Sequence, residues 1–133
     1  MKVLALDYGS AHTGVAVSDE TGTVARPLCV VDRVRKPENL RRIVSLAAEH
    51  GVERIVVGLP LTPSGARGGQ AAETEVFVSE LRSITELPID MFDERFTTRL
   101  ATRRDGNPGG APEDAVAAAF LLTDFLTWTS NRG

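Results

Sequence analysis

Acidic residues stand at three separated places where the local sequence marks the end or start of an element. Asp7 closes the apolar run Val3-Leu4-Ala5-Leu6 and precedes a glycine turn. Asp93-Glu94 ends the run Ile89-Asp90-Met91-Phe92, and Asp114 follows Pro112 at the head of a long apolar stretch. Taken alone, each has an ordinary explanation: an Asx turn for Asp7, a helix N-cap for Asp93-Glu94, and a charge favoured by the helix dipole for Asp114. Brought together, they would repel one another, and such a cluster persists cheaply only around a cation. Carboxylate oxygens with vacancies between them suit Mg2+ or Mn2+, with a substrate phosphate completing the shell. Two ions about 4 Å apart, both held once substrate is bound, would activate water on one side of a phosphodiester and stabilise the departing oxygen on the other. The chemistry implied is metal-dependent phosphodiester hydrolysis.

For these acids to meet, the elements between them must fold back on one another. Val3 to Leu6 reads as a buried strand, Tyr8 to Gly14 as a turn, and Val15 to Asp19 as a second strand. After the turn Glu20 to Thr23, a third strand is expected within residues 24–31, which completes an antiparallel meander. Pro37 then opens a helical period with Leu40, Ile43, Val44, Leu46 and Ala47, ending before Gly51. Arg54 to Gly58 is a β-branched strand, and residues 71–87 read as a second helix with Val76, Phe77, Leu81 and Ile84 inward. Ile89 to Phe92 is the fifth strand. A short basic helix is expected at 98–104, and a last helix, apolar nearly all round, from Pro112 to Trp128. Residues 61–70 and 105–110 read as loops that could flank the site. The expected fold class is α/β: a mixed five-stranded sheet, three strands antiparallel and two in βα units, with helices on both faces. Sites in such sheets form beyond the carboxyl ends of strands, where Asp7 and Asp93-Glu94 fall.

Composition narrows the rest. The 133 residues, 42% hydrophobic and 25% charged, fit one domain spanning 1–133. A single cysteine, Cys29, excludes an intramolecular disulfide, and no His/Cys cluster offers a zinc site. The early carboxylate at Asp7 does not fit a signal peptide, and no apolar run approaches a membrane span, so a soluble cytoplasmic protein without a membrane partner is expected. The net charge of −3 argues against a simple nucleic-acid coat. Yet 13 of the 15 basic residues are arginine, the side chain that pairs bidentately with phosphate. Arg95, Arg99, Arg103 and Arg104 have no acid among them after Glu94, and six basic residues face three acids from Arg33 to Arg54.

Five ordered segments, Leu6-Asp7-Tyr8-Gly9-Ser10, Gly14-Val15-Ala16-Val17-Ser18-Asp19, Ile55-Val56-Val57-Gly58-Leu59-Pro60, Asp93-Glu94-Arg95-Phe96-Thr97-Thr98 and Asp114-Ala115-Val116-Ala117-Ala118-Ala119, resemble the YqgF (RuvX) family over essentially the whole chain. To that family of RNase H-like nucleases, pre-16S rRNA processing and Holliday junction resolution are ascribed. The resemblance implies an RNase H-like fold and metal-binding catalytic acids at Asp7, Glu94 and Asp114, with Asp93 the neighbour that sequence does not separate from Glu94. It implies a phosphate contact at Arg95, within a nucleic-acid surface that takes in Arg99, Arg103, Arg104 and His12. The function it implies is a Mg2+- or Mn2+-dependent endonuclease acting at the 5′ end of pre-16S rRNA. The alternative is a Holliday junction resolvase. Partners are then structured RNA or branched DNA, and the chain a monomer or homodimer. Where relatives commonly carry a basic pair after the first glycine turn, this chain has Ala11-His12. Two other classes compete: a non-catalytic RNA-binding protein, and the phosphate-binding hairpin of sugar kinases and actin-like ATPases. The latter needs two such domains and a second phosphate hairpin, which this chain lacks.

Overall fold

A computed structural model describes residues 1–60, 68–93 and 112–132. Three strands, β1 (Val3–Asp7), β2 (His12–Ser18) and β3 (Ala25–Asp32), are joined by tight turns and pair antiparallel. Helix α1 (Pro37–His50) leads to β4 (Arg54–Leu59), which pairs parallel to β1. Helix α2 (Gly69–Arg82) precedes β5 (Ile89–Asp93), which pairs parallel to β4, and α3 (Glu113–Arg132) follows. The sheet order is β3-β2-β1-β4-β5. This is the expected mixed five-stranded sheet. Pro27, which has no N–H to donate, sits in edge strand β3, where a register shift opposite Val15/Ala16 accommodates it.

Strand alternation divides the core into two layers. Leu4, Leu6, Tyr8, Val15, Val17, Ile55 and Val57 pack against α1 and α2, where Ile43, Leu46, Phe77 and Leu81 meet them. The alternate residues, Val3, Ala5, Ala16, Val56 and Phe92, pack against Ala118, Leu121, Leu122 and Phe125 of α3. Small residues on both sides, Ala5 and Ala16 in the sheet and Ala115 and Ala118 in the helix, let the N-terminal half of α3 approach closely. Trp128 lies at the rim of this layer, edge-on to Phe92 at 5.7 Å between ring centroids.

Helix α1 has Pro37 in its first turn and ends at left-handed Gly51, whose N–H caps carbonyls of the last turn. Helix α2 departs from the expected 71–87. It starts two residues earlier and stops at Arg82, and Thr74, Phe77, Val78 and Leu81 face inward. Val76 and Ile84 are exposed, contrary to the expected inner face. The apolar residues of this segment do not mark one clean stripe, so periodicity misassigned the face. Helix α3 runs four residues beyond the expected Trp128. No helix among the described residues is long and apolar enough to cross a membrane.

The corrected face makes a direct prediction. Leu81→Ala should lower stability by about 2–5 kcal/mol, whereas Val76→Ala should stay within about 0.5 kcal/mol. Urea unfolding of both variants checks this, and equal losses would contradict the orientation of α2.

Candidate functional site

Because β1, β4 and β5 are parallel, their carboxyl ends lie on one edge of the sheet. β2 begins there, and the helices that follow strands begin there too. Asp7 is the last residue of β1 and shares with Val3 and Ala5 the face covered by α3. Its cross-strand partner is Gly14. A Cβ built on Gly14 would lie 1.8 Å from the carbonyl oxygen of Asp114 and 2.4 Å from its carbonyl carbon. The first turn of α3 therefore rests on the backbone of Gly14, with Asp114 beside the strand pair that ends in Asp7. Both acids are half-buried. The backbones of two of the three separated acidic places thus both adjoin one glycine.

The opposite face holds the end of β1 in place. Tyr8, next to Asp7, buries its ring against Phe77 of α2, with centroids 4.8 Å apart and the planes stacked. Its hydroxyl donates to Glu73 Oε1 at 2.7 Å. Burial first, and then the hydrogen bond and charge of Glu73, push the Tyr8 phenol up to about 12. Arg35 opposes this shift and is itself bonded to Glu80 of α2 at 2.8 Å. Sequence reading placed Tyr8 in a turn and missed this anchor, whose partner lies 65 residues away. The turn itself is tied by buried Thr13, whose Oγ1 donates to the Gly9 carbonyl at 3.1 Å and lies 3.3 Å from the Gly9 N–H.

Asp93, the last residue of β5, is half-buried. Its neighbour Phe92 belongs to the α3 layer, so alternation assigns Asp93 to the other face, away from Asp7. His12 opens β2 on the exposed rim, with Nδ1 2.7 Å from Asp32 Oδ1 of β3. Glu94, Arg95, Arg99, Arg103 and Arg104 lie outside the described residues, as do the expected helix at 98–104, loop residues 61–67 and the loop at 105–110. Among the described residues, no three His, Cys, Asp or Glu side chains converge as a metal-holding group. Asp7 and Asp114, two of the three acids expected to hold a cation, lie on elements that touch at Gly14. Carboxylates at a strand end and in a helix first turn are hard oxygen donors of the kind that divalent Mg2+ or Mn2+ prefers.

A family model described as RuvX: Holliday junction resolvase matches residues 1–128. A protein of Chloroflexus aggregans named "Putative pre-16S rRNA nuclease" is 40% identical over 130 residues, covering 93% of this chain and 92% of its own. A relative of the same name from Desulforudis audaxviator is 42% identical over 132 residues, covering 95% and 94%. Among solved structures, T. thermophilus RuvC in complex with a Holliday junction substrate superposes with a TM-score of 0.61 at 16% identity, covering 98% of this chain and 96% of that one. The fowlpox virus Holliday junction resolvase gives 0.54 at 10% identity over the full length of both chains. At these identities the structures speak for the fold alone, which is that of the RuvC-like, RNase H-fold resolvases.

Two measurements test the geometry. Gly14→Ala forces backbone against backbone, which no rotamer change relieves, and should cost about 1–3 kcal/mol in urea unfolding; an unchanged midpoint would contradict the contact with α3. Tyr8 is the only tyrosine, so the phenolate absorbance of the folded protein reads it alone. Its midpoint should lie near 12, against about 10 for the unfolded chain. Since the folded value is the raised one, this contribution to stability is whole below about pH 10 and is lost as pH climbs towards 12. A native midpoint at the ordinary value would remove the Glu73 anchor.

Proposed function

The chain belongs to the RuvX Holliday junction resolvase family, and from that membership we propose that it is a metal-dependent endonuclease that matures the 5′ end of pre-16S rRNA. The observation that carries this reading is the contact of the Asp114 backbone carbonyl with Gly14, the cross-strand partner of Asp7. Relatives named as pre-16S rRNA nucleases, matched over more than nine-tenths of their length, support the substrate. Residues 1–133 act as one RNase H-like nuclease domain, in the cytoplasm.

Asp7, Asp114 and Glu94 would hold the cation. Asp93 is the weaker candidate, since alternation assigns it to the face away from Asp7. When bound, Mg2+ or Mn2+ supplies activation of water and neutralises charge on the departing oxygen. The chain's own residues do the rest. Gly14 keeps the first turn of α3 against the β1–β2 pair, so that both carboxylates are positioned before substrate arrives. Tyr8, Phe77 and Glu73 hold the end of β1 from behind. Arg95, with Arg99, Arg103 and Arg104, grips the phosphates flanking the scissile bond, as guanidinium forks do. His12, beside Asp32 on the rim, is a further phosphate contact.

The family description favours a second reading, resolution of four-way DNA junctions. That reaction requires a dimer presenting two sites with two-fold symmetry, whereas rRNA trimming is open to a monomer.

Asp7→Asn should reduce cleavage of a pre-16S rRNA fragment in Mg2+ or Mn2+ by more than about a hundredfold, since loss of even the outer partners of metal ligands costs 10–100-fold. Its urea midpoint should not fall, because a repulsive site trades stability for activity. Near-normal turnover of Asp7→Asn would refute the assignment. Light scattering alongside junction cleavage separates the two substrates: a monomer inert on junctions supports the rRNA role, and a dimer cutting symmetrically supports resolution.

A further inference from the structure

The turn between β3 and α1 and the first turns of α1 are crowded with cations that the proposed site does not use. Arg33, Arg35, Lys36, Arg41 and Arg42 lie within ten residues and are all exposed. Arg35 is engaged by Glu80 and Tyr8. The other four form no ion pair among the described residues. The acids of the same stretch are Asp32, paired with His12, and Glu38 in the first turn of α1.

Arg33 is the only non-glycine residue with positive φ among the described residues, at 46°. Glycine or asparagine takes that left-handed conformation at lower cost than a long side chain. The surroundings hold it there. The Arg33 N–H donates to the carbonyl of Ala11 at 2.9 Å, in the turn that follows Asp7. Its own carbonyl accepts from the Lys36 N–H at 3.0 Å and from Asn39 Nδ2 at 3.2 Å, and Asn39 Nδ2 also lies 2.9 Å from the Asp32 carbonyl. A strained arginine, braced against the turn beside a candidate catalytic acid, is where a functional cause for the strain is to be sought. The turn also lies on the same sheet edge as Asp7, since β3 ends where β2 begins.

We propose that Arg33 and Lys36 form a second phosphate-contacting surface for the nucleic-acid substrate, on the β3 side of Asp7. Strand β5 forms the opposite edge of the sheet, four strand spacings or about 19 Å from β3. Substrate backbone running past Asp7 towards β3 would meet these two cations. The surface rests on the nuclease reading for its substrate, and it positions rather than reacts.

Fluorescence anisotropy in EDTA, on a labelled four-way DNA junction and a labelled RNA duplex between about 50 and 200 mM salt, tests it. The variant R33G/K36Q should flatten the log–log salt dependence of binding by about 2, one for each phosphate no longer neutralised. R33K/K36R should restore the slope, which a merely structural role would not require. The unfolding midpoint of R33G should match or exceed wild type, because glycine relieves the strain. If wild type binds but R33G/K36Q has the same slope, the surface is overturned and the nuclease reading stands. If wild type binds neither probe, both fall together.

Discussion

At Gly14 the carbonyl of Asp114 occupies the space that a side chain would fill, so the start of α3 and the end of the β1–β2 pair share one volume. Asp7 is the cross-strand partner of that glycine. The site therefore depends on a contact between backbones, which side-chain rearrangement cannot mimic. The small residues behind it, Ala5, Ala16, Ala115 and Ala118, keep the helix near the sheet along its first turns. Larger ones, Leu121, Leu122 and Phe125, then fill the widening gap. Packing in the α3 layer and the placing of two acids are one arrangement.

The direction of the strands decides where this happens. β1, β4 and β5 all end on one edge, and the first turn of α3 lies against it at Gly14. A helix start presents unpaired N–H groups and the positive end of its dipole, which favours Asp114 and Glu113 in the first turn of α3. The same edge gathers Asp7, Asp93, the rim pair His12–Asp32 and the braced turn at Arg33. On the reverse face, the Tyr8–Glu73 bond and the Tyr8–Phe77 stack keep the end of β1 from drifting. Asp7 ends a strand held between the α3 layer on one face and the α1–α2 layer on the other.

Much of the fold was legible because it is written locally. The β-branched run at Arg54 to Gly58, the turn at Glu20 to Thr23, and Pro37 and Gly51 at the ends of α1 each mark their element by residue type. Helix α2 was less legible. Its inward positions are Thr74, Phe77, Val78 and Leu81, while apolar Val76 and Ile84 face solvent, so hydrophobicity alone misleads. Strand order is not a local property, and neither are the contacts that matter most at the site. Nothing near Tyr8 announces Glu73, and nothing near Gly14 announces a helix a hundred residues later. Asp7 and Asp114 could be suspected from their places at a strand end and a helix start. Glu94 and the arginines after it, outside the described residues, rest on the family resemblance.

Calorimetric titration of Mn2+ into the wild-type protein and into Asp7→Asn and Asp114→Asn tests the central claim most directly, because it asks whether acids 107 positions apart serve one cation. The account predicts a saturable site in wild type that either single substitution removes or weakens at least tenfold. Binding that survives both substitutions undiminished, or that responds to one and ignores the other, would contradict it.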